Sequence, residues 1–268
     1  TYACSDFKFK KGLVSATKPS GHTLQIADGL WLDKKFKAAM MKSIAQSELD
    51  RKRFVYSDIG FILLQQVVEA VTGKTLDAYL VSEFYRPMGL EHTLFQPLNR
   101  YKKADIMPTA ANDYLRRQDL CGYVHDEAAA FMGGVSGNAG LFSTAQELGK
   151  IYQMILNEGE LDGKRYLRPE TCRIFTTEKS AVSHRGLGYD KPNLKDPKAN
   201  ACASSAPASV YGHTGFTGTC TWVDPENDLV YIFLSNRLCP DAWNGKLNSM
   251  KIRQAVQEVI YQSLYTPE

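Results

Sequence analysis

An α+β fold, an antiparallel sheet flanked by helices with a helical, loop-rich subdomain beside it, is predicted by three observations on the 268-residue sequence. The final third carries three β-rich runs, VYGHTG, TCTWVD and LVYIFLS, separated by a glycine-containing turn and by PEND, the pattern of an antiparallel meander. A long amphipathic stretch, Lys246 to Leu264, follows with Ile252, Val256, Val259 and Ile260 apolar. Earlier, SDIGFILLQQVVEAVTG repeats Ile59, Leu63, Val67 and Val71 at the helix period and closes on Gly73, a C′ residue. Strands and helices that segregate along a chain in this way imply α+β packing.

The remaining elements follow in order. The first fifty residues read as loop-like, since Gly12, Pro19 and Gly21 break any period, and a helical stretch covers Lys34 to Gln46. A second short helix covers Thr75 to Phe84 and stops before Pro87 and Gly89. Residues 92–143 carry weak periodicity and many turn residues, as a loop-rich insertion does, with Glu127 and its three alanines a short helix. Thr144 to Asn157 is a helix, with Ser143 or Thr144 at its start and Glu147 three residues after Thr144, as in a capping box. Asp190 to Pro207 is polar, contains three prolines and reads as a surface loop. No internal repeat or linker divides the chain. It reads as one domain over 1–268, with a helical part near 54–190 and the sheet and last helix over 205–268.

Composition excludes several classes. Hydrophobic content of 44% and charged content of 23% describe an ordinary globular chain. A net charge of +3 is too small to point to nucleic acid, and KFKK (Lys8 to Lys11) and RKR (Arg51 to Arg53) read as solvated surface. No apolar run approaches the ~20 residues of a membrane span. The six cysteines, Cys4, Cys121, Cys172, Cys202, Cys220 and Cys239, show no metal-type spacing and suit buried thiols or an occasional disulfide. The opening TYACSDFKFKK has neither initiator methionine nor signal-peptide pattern, and reads as cut from something longer.

Two stretches carry chemistry. In FVYSDIG, Tyr56-Ser57-Asp58 stand at the entrance to a strongly apolar helix, where a serine or aspartate commonly serves as N-cap. In YGHTGFTGT, His213-Thr214-Gly215 lie on a strand with Gly212 and Gly218 nearby, and strand glycines let a ligand approach the backbone. In this order, with GNAGLFSTAQEL (Gly137 to Leu148), RGLGYD (Arg185 to Asp190) and LSNR (Leu234 to Arg237), they resemble the serine β-lactamase and penicillin-binding-protein superfamily. The branch is the class C-like one, with its esterases and D-alanyl peptidases. GYVHDEAAAFMGGVSGNAGLFST is also similar to the serine-hydrolase module that follows a glycoside hydrolase in some bacterial polypeptides.

The resemblance implies a β-lactamase/transpeptidase-like fold and acyl transfer, which needs a nucleophile, a base and donors aimed at an oxyanion. Carried over, Tyr56 is the general base and acid. Asp58 takes the asparagine place of the second motif. His213, Thr214 and Gly215 form the strand beside the substrate, and the Phe216 backbone N–H is an oxyanion donor. Two departures matter. An ionised Asp58 only accepts hydrogen bonds, and suits a lysine ammonium better than a substrate carbonyl. His213 stands where the family has lysine or histidine, and holds a substrate carboxylate less firmly than a permanent cation would. That favours an ester or amide substrate over a β-lactam.

Ser15 and Lys18 spell Ser-x-x-Lys, the family's nucleophile motif. That motif needs serine and lysine on one helical turn. Pro19 directly after Lys18, then Ser20 and Gly21, disfavours a helix there. Ser15 is therefore read as coincidence. The family's first motif, with its N-terminal helix and strands, is expected outside this chain. Two functions follow: a serine hydrolase module whose nucleophile lies upstream, or a non-catalytic relative that binds cell-wall or glycan ligands. His125 and Asp126, in GYVHDE, read as structural or cleft-lining rather than metal-binding, and Trp222 and Tyr189 as packing residues by default, with lining of the cleft as the alternative for each. Neither cofactor nor metal is called for. The expected partners are a small-molecule or peptidoglycan-like substrate, the upstream segment and a second copy through self-association, with no nucleic acid. The resemblance implies a periplasmic or cell-surface, extracytoplasmic location in a bacterium.

Overall fold

An Asp-Gly pair between apolar runs is a strong hairpin signal, and Asp28-Gly29 turns residues expected to be loop-like into a sheet. The strands β1 (Val14–Ser15), β2 (His22–Ala27) and β3 (Leu30–Asp33) pair antiparallel in the order β1-β3-β2. Gly29 takes the left-handed φ of 61° that the turn demands. The computed structural model describes residues 14–15, 22–48, 54–177 and 179–265. The basic runs at 8–11 and 51–53, Cys4, Lys18 and Pro19 lie outside the described residues. Ser15 is a strand residue paired with Trp31, not a helical one.

The chain divides into two compact units, Thr1–Ser143 with Cys239–Asp241, and Thr144–Leu238 with Ala242–Glu268. In the first, the β1–β3 sheet is followed by helices α1 (Lys35–Ala45), α2 (Ile59–Thr72) and α3 (Leu76–Leu80), the last running into a π-helical turn at Val81–Tyr85. Strand β4 (Leu94–Phe95) precedes a hairpin, β5 (Pro108–Asp113) and β6 (Gln118–Cys121). Helix α4 (Glu127–Phe131) and strand β7 (Leu141–Phe142), which pairs with β4, complete the unit. Residues 92–143 are thus more ordered than a loop-rich insertion. The core joins Ile26, Leu32, Phe36, Met40, Ile62 and Phe131, with the Phe36 and Phe131 rings 4.7 Å apart.

Gly73 ends α2 in the left-handed conformation, as expected. The buried face of α2 is not the expected one. Ile62 and Gln65 are buried, whereas Leu63 and Val67 are exposed and Val71 is 80% exposed. Because nearly every turn of α2 is apolar, spacing alone did not select the face.

The second unit opens with α5 (Ala145–Leu156), where the Thr144 hydroxyl accepts from the Glu147 N–H at 3.3 Å as the capping signal required. A short hairpin, β8 (Glu160–Leu161) and β9 (Lys164–Arg165), and helix α6 (Pro169–Thr177) follow. The predicted meander is present: β10 (Tyr211–Thr214), β11 (Cys220–Asp224) and β12 (Leu229–Phe233) pair antiparallel in sequence order. The last helix is broken. A left-handed Lys251, φ 50°, separates α7 (Lys246–Ser249) from α8 (Ile252–Tyr265).

Gln257 and Tyr261, not Val256 and Val259, form the buried side of α8. Gln257 accepts from the Ala203 N–H at 2.8 Å, and the Tyr261 hydroxyl donates to Asp224 Oδ2 at 2.8 Å. Asp224 also accepts from the N–H groups of Glu226 and Asn227, organising the β11–β12 turn. Trp222 is core, as expected.

The Asp190–Pro207 segment is not simply surface, since Asp190, Lys191, Cys202 and Ala203 are buried. Lys191 donates to the Thr176 carbonyl in the last turn of α6, and burial, with Lys179 nearby, pulls its pKa down to about 8. Asp190 exchanges both backbone hydrogen bonds with Gly212, which pairs with Trp222 on its other side. A Cβ on Gly212 would lie 2.0 Å from the Thr221 carbonyl oxygen and 2.8 Å from Trp222 Cε3. Gly212→Ala is therefore expected to destabilise the protein by about 1–3 kcal/mol, the range of overpacked cores. A urea-unfolding midpoint equal to that of the unsubstituted chain would contradict this close approach.

Candidate active site

In the first unit, the second-motif residues sit at the mouth of α2. Ser57 does the local capping, its hydroxyl accepting from the Ile59 N–H at 3.3 Å. Asp58 occupies the N-cap position with helical dihedrals, φ −72° and ψ −23°, and its carboxylate does not cap the helix. It instead bonds the Asn138 side chain and lies near Asp126. Its pKa is raised, burial being the main cause and the Asp126 charge the next.

Asn138 is fixed from several sides. Its Nδ2 donates to Asp126 Oδ1 at 3.0 Å, while Ser136 Oγ donates to its Oδ1 at 2.6 Å. Asp126 is itself fixed as the N-cap of α4, accepting from the Ala129 N–H at 2.7 Å. The segment holding Asn138 lies directly on α2. The Gly137 N–H donates to Gln65 Oε1 at 3.1 Å, and a Cβ on Gly137 would meet the Phe61 carbonyl oxygen at 2.2 Å. Only glycine permits that approach. Tyr56 is 53% exposed on the irregular run before the helix.

Beside α2, a mainly apolar cavity of about 340 Å³ is lined by Phe61, Leu64, Val68, Phe95 and Leu141, together with Asn138. The His125 carbonyl accepts from Arg116, and burial lowers the His125 pKa. Among the described residues no three His, Cys, Asp or Glu side chains are grouped to hold a metal ion.

In the second unit, His213 and Thr214 end β10, an edge strand of the meander. Arg185 Nη1 lies 2.8 Å from His213 Nε2, and His213 Nδ1 lies 2.6 Å from the Thr214 carbonyl oxygen. A guanidinium only donates, so Nε2 accepts and Nδ1 carries the proton. Arg185 also donates to Asp190 Oδ2 at 3.3 Å, and His184 bonds Asp190 Oδ1 at 2.9 Å. A permanent cation, Arg185, thus stands beside the histidine that was expected to hold a carboxylate less firmly than such a cation would. Gly215 opens a tight turn, its N–H donating to the Thr219 carbonyl at 2.7 Å, and Phe216 is exposed. Tyr189 packs on Tyr211, ring centroids 5.0 Å apart, as a packing residue should.

Tyr56 and Asp58 thus belong to the first unit, and His213, Thr214, Gly215 and Phe216 to the second. Sequence reasoning missed Asn138 and Arg185 as site-shaping residues, although both lie inside motifs that carried the resemblance.

Comparison with known proteins supports one family. The Beta-lactamase family model matches residues 20–253. A protein of Escherichia coli (strain K12) named "Putative D-alanyl-D-alanine carboxypeptidase" is 38% identical over 197 residues, covering 69% of this chain and 45% of that protein. The chain spans about half the length of the curated relatives it matches. Among solved structures, a β-lactamase from Mycobacterium bovis matches with a TM-score of 0.52 and 19% identity, over 79% of this chain and 65% of that one. The octameric penicillin-binding protein homologue of Pyrococcus abyssi gives a TM-score of 0.54 and 17% identity, over 86% and 51%. At such identities the likeness is one of fold. This chain belongs to the Beta-lactamase family, the serine β-lactamase and penicillin-binding-protein superfamily its motifs resemble.

Proposed function

We propose that this chain supplies the Tyr-x-Asp and His-Thr-Gly parts of an extracytoplasmic serine hydrolase whose Ser-x-x-Lys nucleophile lies upstream. Its acyl substrate is an ester, amide or peptidoglycan-type peptide, with the D-alanyl ending named for the curated relatives the first candidate. The observation that carries the reading is the Asp58 carboxylate, turned away from capping its own helix and held by Asn138 beside Asp126.

A carboxylate that burial and a like charge both disfavour gains most from a nearby cation, and a lysine amine next to the nucleophile is one. The Tyr56 hydroxyl exchanges the proton between the attacking serine and the leaving group. The edge of β10 aligns the substrate, and the Phe216 N–H donates to the oxyanion.

A fluorophosphonate that acylates activated serines tests the reading. In the polypeptide carrying the upstream segment, label is expected on the serine of a helical Ser-x-x-Lys, and this chain alone should take up none. Label on Ser15 would defeat the assignment. An upstream segment without that serine would instead favour the non-catalytic, ligand-binding relative.

A further inference from the structure

Side chains close the outer edge of β10. In an antiparallel pair, successive residues alternate between bonding the neighbouring strand and turning their N–H and C=O groups outward. Gly212 turns both groups away from β11 and exchanges bonds with Asp190 at 2.7 and 3.1 Å. The Gly215 N–H points the opposite way, to the Thr219 carbonyl at 2.7 Å. Thr214, two residues beyond Gly212, therefore presents its carbonyl on the outer edge, where an added strand would pair. That carbonyl is already taken, because His213 Nδ1 lies 2.6 Å from its oxygen.

Arg185 holds the ring in this position. A guanidinium offers donors only, so Arg185 Nη1, 2.8 Å from Nε2, leaves the imidazole proton on Nδ1, facing Thr214. With the other tautomer a lone pair on Nδ1 would face the carbonyl oxygen, and the contact would be repulsive. Arg185 is itself fixed. Its N–H donates to Ser183 Oγ at 3.3 Å, its carbonyl accepts from the Ser180 N–H at 2.7 Å, and Nη2 donates to Asp190 Oδ2 at 3.3 Å. The buried Asp190 carboxylate is set by the Lys191 N–H at 3.0 Å and by His184 Nε2 at 2.9 Å. Asp190 thus covers the edge twice: with its backbone at Gly212, and through Arg185 and His213 at Thr214.

We propose that Arg185 is a positioning residue that latches the His213 ring over the Thr214 carbonyl, so that the edge of β10 gives no acceptor to a substrate N–H there. Among acyl substrates, the latched edge favours compact esters and amides over peptides that extend along β10 as an added strand. The selectivity rests on the hydrolase reading, whereas the latch is tested without turnover.

Nitrogen-15 NMR of this chain at a pH of about 8.5, above the ordinary imidazole range, reads the ring directly. The proton is expected on Nδ1 of His213 and absent from Nε2. Arg185→Leu, which removes the donor, should release the ring to a mixture of tautomers. Arg185→Lys, which can still donate to Nε2, should retain the Nδ1–H form. A merely structural role for Arg185 would not move this signature. The unsubstituted chain needs no variant, so a misfolded substitution leaves its tautomer decisive. A proton on Nε2 in the unsubstituted chain, or the same single tautomer in folded Arg185→Leu, would overturn the proposal.

In the polypeptide with its upstream segment, phenyl esters of N-acetylglycine and N-acetylsarcosine differ at the nitrogen, N–H against N-methyl. Arg185→Leu is expected to raise the kcat/KM ratio of the first to the second by about tenfold, the scale of one hydrogen bond regained. An unchanged ratio defeats the selectivity. Absence of turnover of both esters defeats the hydrolase reading, and the latch is then scored by the tautomer alone.

Discussion

Replacing Tyr56 by phenylalanine, in the polypeptide that carries the upstream serine, is expected to cut turnover by about 10²- to 10⁴-fold, the usual loss when a positioned acid–base group is removed. Only the hydroxyl departs. The ring stays on the same exposed run before α2, so KM should change much less than kcat. Fold should be unaffected, because the ring is kept and Tyr56 is more than half exposed. Steady-state rates on an uncharged ester, with circular dichroism as the control for fold, measure both sides. Full turnover in Tyr56→Phe would remove Tyr56 from the machinery and with it the assignment of the second motif.

The largest loss of stability is expected from Arg116→Ala. Arg116 and Asp113 form a paired-fork ion pair at the β5–β6 turn, with Nε and Nη2 both 2.8 Å from carboxylate oxygens and both side chains inaccessible to solvent. The Arg116 N–H donates to the same carboxylate at 2.7 Å, and the guanidinium also serves the carbonyls of Val124 and His125. Removing it strands a buried charge, which costs about 3–5 kcal/mol in comparable cases.

The pH dependence follows from the same contacts. Burial alone would raise the Asp113 pKa, but the Arg116 bonds and charge together outweigh it and hold the carboxyl below its ordinary value. Stability from this pair is thus fully present above the unfolded carboxylate pKa of about 3.9, and is lost as pH falls through the lower folded value. In Arg116→Ala burial is opposed only by the backbone N–H of residue 116 and the His125 charge, so lowering the pH should relieve the variant. The difference between the two proteins in urea midpoints should shrink below about pH 4. A constant difference across that range would mean that Asp113 is not the group left uncompensated.

The helices with clear ends were legible in the sequence because their signals are local. Gly73 closing α2 and Thr144 capping α5 each depend on a few neighbouring residues. The meander was legible for the same reason. Which face of α2 is buried was not, since the choice between Ile62 and Val71 is made by what packs against them, not by spacing. The Asp28-Gly29 hairpin has a local signal too, but Gly12, Pro19 and Gly21 interrupt the pattern ahead of it.

At the site, residue types such as Tyr56 and His213 were readable from motif order. Their immediate company was not. Asn138 reaches Asp58 across a separation of 80 residues, and Arg185 reaches His213 across 28. Periodicity carries no record of such pairs. His213 looked a weak holder of carboxylates in isolation, whereas Arg185 stands 2.8 Å from its ring.

Asp224 joins contacts of very different reach. Its bonds to Glu226 and Asn227 close within three residues, whereas its bond to Tyr261 spans 37. During synthesis the β11–β12 turn can therefore form as soon as the hairpin has emerged, while its carboxylate still waits for the last phenol. Once β12 has folded back, the chain left to close is the much shorter one from β12 to α8, and the entropic cost of that late contact falls accordingly. A chain released before residue 261 would keep its hairpin yet leave Asp224 without the hydroxyl that its buried surroundings require. The Asp224 carboxylate, rather than the turn, thus registers whether the final helix has been made, and truncations that stop short of it should be more readily cut by proteases that attack frayed C-termini.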